Sequence, residues 1–92
     1  MTKSAYEILV ELLEIFIAGP DRTVRAANDI ESAFCELVDA GYPGTDLEPL
    51  SDLEHSLALY RPGGEPGTIA EDELLPVARA SLRHLRENPP ET

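Results

Sequence analysis

Apolar residues recur along this chain at spacings of three and four in four stretches, which are separated by Gly19-Pro20, by Gly41-Tyr42-Pro43-Gly44 and by the run Arg61 to Gly67. That period places them on one face of an α-helix. In the first stretch, Ser4 to Ala18, Glu7, Glu11 and Glu14 form one narrow polar line in an otherwise apolar segment, so this helix should be the most buried. The second runs from Asp21, a suitable N-cap, to Ala40. It turns Val24, Ala27, Ile30, Phe34, Leu37 and Val38 inward, leaves Asp29, Glu36 and Glu31 or Asp39 outside, and stops at Gly41.

The third stretch, Asp46 to Tyr60, places Leu50, Leu53, Leu57 and Tyr60 on one face and requires Pro49 to sit in its first turn, with Ser51 a second possible N-cap. The fourth opens on Thr68-Ile69-Ala70-Glu71, which has capping-box spacing, and runs to Glu87 with Leu75, Ala78, Leu82 and Leu85 inward. Pro76 should kink it if it begins at Thr68 and cost less if it begins nearer Asp72. No alternating stretch is long enough for a strand. The expected fold is all-α, a compact antiparallel four-helix bundle. Residues 1–87 form a single helical domain and residues 88–92 a frayed tail, while Arg61 to Gly67 covers one end of the bundle.

Charge changes the picture more than size does. A chain of 92 residues makes one domain that buries only about 60 to 65% of its unfolded surface. Its 18 acids against 7 Lys and Arg leave a formal charge of -11, which argues against DNA, RNA or an anionic membrane as ligand. Between Ala26 and Tyr60 there are eight carboxylates, Asp29, Glu31, Glu36, Asp39, Asp46, Glu48, Asp52 and Glu54, and no Lys or Arg. Arg79, Arg83 and Arg86 gather instead near the end of the fourth helix. An unneutralised run of like charge repels itself and is either borne as a solvated face or matched by a cationic partner; its segregation from the three arginines favours the partner, so a basic protein is the expected ligand. Ile8 to Ala18 is interrupted by Glu11 and Glu14 and falls short of the ~20 residues that span a bilayer. With one cysteine and no leader-like N-terminus, a cytoplasmic protein, monomeric when free, is expected.

No catalytic, metal or cofactor pattern stands out. Asp52 or Glu54 beside His55 would need further ligands for zinc, and the other histidine, His84, lies on a different helix. Cys35 has no basic neighbour in sequence and reads as an inert packing thiol. Ser51, in Pro49-Leu50-Ser51-Asp52-Leu53, invites comparison with acyl carrier proteins, which are also small, acidic and four-helical. Their modified serine follows Asp and precedes Leu, the reverse of the order here. An acidic carrier or docking module of that kind is the alternative reading.

The apolar helix Leu53 to Tyr60 ending in an aromatic is followed by Pro62, a polar loop, and Ile69-Ala70-Glu71-Asp72-Glu73-Leu74, which opens a last helix that closes on Leu82 and Leu85. Together with the N-terminal helix and turn, Ile8 to Gly19, this order resembles the colicin-D-type bacterial immunity proteins, acidic helical bundles that inhibit tRNA-cleaving toxins. The resemblance implies a basic toxin nuclease domain as partner, its cleft occluded by acids standing in for phosphates. Asp46, Glu48, Asp52 and Glu54 of the third helix, Glu65, Glu71 and Asp72 around the following loop, and Tyr60 as an aromatic anchor are then the expected contact residues. Tyr60 equally suits a core position. Where the family has an acid near the end of the third helix, this sequence has Ala58 and Leu59.

Overall fold

The computed structural model describes residues 3–19, 22–61 and 66–89. Its four helices are α1 (Ala5–Ala18), α2 (Val24–Asp39), α3 (Leu50–Leu59) and α4 (Glu71–Glu87). They form the expected all-α antiparallel bundle. α1 packs on α2 and α4, and α3 packs on the same two, while neither diagonal pair approaches closely. A ring of this kind gives each helix only two neighbours. That corrects the expectation that α1 is the most buried: only Leu9, Leu13 and Phe16 are fully inside, Ile8, Val10, Leu12 and Ile17 are half-buried, and Ile15 is 47% exposed. The near-continuous apolar surface of α1 wraps wider than two neighbours can cover. Val38, placed inward by its spacing, is likewise exposed at the flank of α2, and Ala33 takes a core position instead.

Local chemistry sets the helix ends. Ser4 caps α1 by accepting from the Glu7 N–H at 3.2 Å, and Thr23 caps α2 by accepting from the Ala26 N–H at 3.2 Å. Thr23 thus has the role assigned to Asp21, which lies outside the described residues. α2 stops in a Schellman motif, in which the Gly41 N–H donates to the Val38 carbonyl and the Tyr42 N–H to that of Leu37, with Gly41 at φ +86°. α3 begins at Leu50, four residues later than expected, with Pro49 as N-cap. Proline steers the residue before it out of the helical region, so Asp46 to Glu48 form turns, and Ser51 falls inside the first turn rather than at the cap.

α4 also starts late. Ala70, not Thr68, is the N-cap, and it has no side-chain bond of its own. Ile69 is drawn instead into a single parallel bridge with Tyr60, donating to the Leu59 carbonyl at 2.9 Å and accepting from the Arg61 N–H at 2.8 Å. Glu71, Asp72 and Glu73 in the first turn offset the helix dipole in place of a cap. Pro76 removes one N–H from the second turn, yet the helix runs unbroken to Glu87. Beyond it, Asn88 is held, not frayed: its amide donates to the His84 carbonyl at 2.9 Å and its own carbonyl accepts from Tyr42.

The hydroxyls of all three tyrosines donate to backbone carbonyls far away in sequence. Tyr6 bonds Leu85 at 2.5 Å, Tyr42 bonds Asn88 at 2.6 Å, and Tyr60 bonds Arg22 at 2.6 Å. Arg22 completes the Tyr60 end of the bundle. Its Nε and Nη2 donate to the carbonyls of Phe16 and Ile17 at 2.9 and 2.8 Å, and its Nη1 lies 3.7 Å from Glu71. Gly19, at φ +100°, lets the chain double back there; a Cβ on it would meet Arg22 Nη2 at 3.2 Å. Arg22→Ala should lower the unfolding free energy by about 2–3 kcal/mol, because two carbonyls lose charge-assisted partners. Arg22→Lys should recover only part of that loss, since one ammonium does not reproduce the fork. Urea unfolding of the two variants checks this.

Candidate interaction site

The expected contact residues separate into two groups. Asp46 and Glu48 are exposed, but in the turns ahead of α3, not on it. Asp52 is exposed in the first turn of α3 and Glu54 just beyond it. Asp72, also exposed, begins α4 at the opposite end of the bundle. Glu71 is half-buried there and faces Arg22, so it serves the fold first. Glu65 lies outside the described residues. Tyr60 requires a correction: it is 0% exposed, its ring meets Phe16 edge-on at 5.6 Å, and its hydroxyl is engaged by Arg22. A side chain so enclosed anchors the core and not a partner.

Sequence reasoning left out Asp39, exposed at the last turn of α2, where that helix carries no basic residue. Because α2 packs beside α3 and the two run antiparallel, Asp39 ends where Asp46, Glu48 and Asp52 begin. The ion pairs of the described residues are Lys3 with Glu11 at 2.5 Å, Arg86 with Glu14 at 3.2 Å, Arg83 with Glu87 at 2.9 Å, and Arg22 with Glu71 at 3.7 Å. All of them involve α1, α4 or the ends beside them. None involves any of the eight carboxylates between Ala26 and Tyr60. The molecule is therefore electrically two-sided: α1 and α4 neutralise each other in part, and α2 and α3 stay anionic.

At the end where α2 stops and α4 finishes, an open groove of about 840 Å³ lies among Tyr6, Leu37, Tyr42, Leu47, His84 and Asn88. The rings of Tyr6 and Tyr42 stack at 6.2 Å and 27°. Leu47 is 63% exposed, the most of any large apolar side chain described. Its only sequence signal was an apolar residue stranded in a turn-rich run, Gly44-Thr45-Asp46-Leu47-Glu48-Pro49, outside any helical stripe.

No family model, curated protein or solved structure matches this chain. Its functional reading rests on its own geometry. No group of three or more metal-capable side chains occurs among the described residues, and no helix there is long and apolar enough to cross a membrane. His55 is exposed on α3, while His84 lines the groove on α4. Cys35, expected as a packing thiol, is instead exposed, since the buried stripe of α2 runs through Ala27, Ile30, Ala33, Phe34 and Leu37 on the other side.

Tyr42 and Tyr60 both hold their protons more firmly than a free tyrosine. Burial is the main cause in each, reinforced at Tyr42 by Tyr6 and at Tyr60 by the Glu71 carboxylate, against which Arg22 acts in the other direction. In the unfolded chain both titrate near the ordinary value of about 10. The stability they contribute is thus complete below about pH 10 and is lost as pH rises through their higher folded values. Urea midpoints measured in steps from about pH 8 to about pH 11 should fall steeply only above about pH 10. A variant carrying Tyr42→Phe and Tyr60→Phe should show a shallower fall.

Proposed function

We propose that this chain is an immunity-type inhibitor, acting in the cytoplasm without catalysis, whose α2–α3 side docks on the cationic cleft of a nuclease toxin of the tRNA-cleaving kind. The observation that supports it is the set of eight carboxylates carried by two adjacent helices and their connection with no ion pair among the described residues. Self-repulsion within such a set disfavours folding, and a cationic partner relieves it. A nuclease cleft is cationic because it must hold phosphates, and carboxylates at similar spacing occupy the same donors. Opposed fields accelerate encounter, whereas affinity comes from a few desolvated pairs and apolar anchors. Asp39, Asp46, Glu48, Asp52 and Glu54 are the contact residues of this reading, with Asp72 at the far end less central.

The test uses a purified basic nuclease domain encoded beside this chain. Replacing Asp52 and Glu54 together by Lys should slow association about tenfold at low salt and flatten its dependence on ionic strength. Equal charge reversal at Glu7 and Glu11 on α1 should do much less. Association rates that respond alike to both variants, or to neither, would contradict docking through α2 and α3.

A further inference from the structure

The groove between Tyr42, Leu47 and the end of α4 has the build of an apolar anchor point, and the charges around it indicate what fits. Leu47 projects from a turn fixed by its N–H donating to the Gly44 carbonyl at 3.0 Å, so its exposure is imposed by the backbone. Both tyrosine hydroxyls beside it already donate to carbonyls of the α4 end, which leaves ring surface as their contribution to the groove. Asp46 and Glu48 flank Leu47 in the chain, and Asp39 precedes the lining residue Ala40. Of the basic side chains toward this end, Lys3 is paired with Glu11, Arg83 with Glu87 and Arg86 with Glu14, while His84 lines the groove itself. The first turns of α1 and α3, which reach this end with positive dipole poles, carry Glu7 and Asp52. The groove is lined by apolar and uncharged groups and His84, and the exposed acids Asp39, Asp46 and Glu48 are chain neighbours of that lining, a pattern that complements an apolar side chain displayed between basic residues.

We infer that this groove receives a large apolar side chain of a protein segment that carries Lys or Arg on either side of it. The inference rests on the proposed docking of the α2–α3 side and names the anchor within it. The probe is a capped peptide with one central tryptophan flanked by lysines, titrated against the isotope-labelled full chain and followed by NMR. Matched peptides carry serine in place of the tryptophan, or glutamates in place of the lysines.

The tryptophan–lysine peptide should shift the Leu47 methyl and Tyr42 ring resonances saturably, and Leu47→Ala should weaken its binding at least fivefold. Since Leu47 is mostly exposed, that variant should unfold as the parent does. The serine peptide should perturb residues around Asp52 and Glu54 while leaving Leu47 unmoved. If both basic peptides give that second pattern, the groove inference is overturned and the docking of α2 and α3 stands. If neither basic peptide perturbs α2 or α3, both fail. Equal binding of the glutamate peptide would overturn the cationic occupant, and concentration-dependent self-association lost in Leu47→Ala would assign the groove to a second copy of the chain.

Discussion

The last four carbonyls of a helix have no partner within it, and everything at one end of this bundle follows from how Arg22 meets that need for α1. α1 has no basic residue in its own last turn. The guanidinium comes from two residues before α2, bonds the carbonyls of Phe16 and Ile17, and stands 6.0 Å from the Phe16 ring centre. Its own carbonyl accepts the Tyr60 hydroxyl at the end of α3, and its third nitrogen faces Glu71 at the start of α4. One residue therefore sets the turn between α1 and α2 and the docking of the other pair. The Tyr60–Ile69 bridge closes the loop between α3 and α4 at the same end.

The opposite end solves the same problem without a cation from a connecting segment. There the carbonyls of Leu85 and Asn88 are met by the hydroxyls of Tyr6 and Tyr42, neutral donors that bring aromatic surface and no charge. The choice of donor has an electrostatic consequence. Where Arg22 offsets Glu71, no ion pair involves Asp39, Asp46 or Glu48 among the described residues, so this end keeps its negative charge, with the half-buried Tyr6 ring and the exposed Leu47 beside it. Charge asymmetry and groove are thus two results of a single architectural difference between the ends.

Much of the fold was legible because it depends on local periodicity. Most of the inward faces of α2 and α4, the stop at Gly41 and the turn at Gly19 are set by residues within one helical turn, although Leu75, expected inward, is half-buried and Leu74 and Ser81 take core positions instead, as Ala33 does for Val38. What escaped was set at longer range. α4 begins at Glu71 and not at Thr68, and Ile69, between them, pairs with a residue nine positions earlier. Spacing placed Tyr60 inward and the family resemblance placed it at a partner surface; Arg22 and Phe16, remote in sequence, decide for the core. The acidic character of α2 and α3 could be read directly, but not which acids lie together. Asp39 joins Asp46 and Glu48 only because α2 and α3 are antiparallel neighbours, and Glu71 leaves the set because Arg22 faces it.

A domain of this size gains little from a core with only one or two fully inward residues per helical turn, so the retained repulsion on α2 and α3 is a substantial burden. Neutral or basic replacements at Asp29, Glu36, Asp39 or Glu54 would relieve it without touching any buried contact, for these side chains are all exposed. These exposed positions carry the same charge across two neighbouring helices, and that charge is the basis of the proposed docking. α1 and α4 differ within the same molecule: three of their exposed acids, Glu11, Glu14 and Glu87, have a basic partner, while Glu7, Asp72 and Glu73 sit in first turns at the positive end of the helix dipole. On the other side no such partner stands within the described residues, and the proposed cationic partner would supply one.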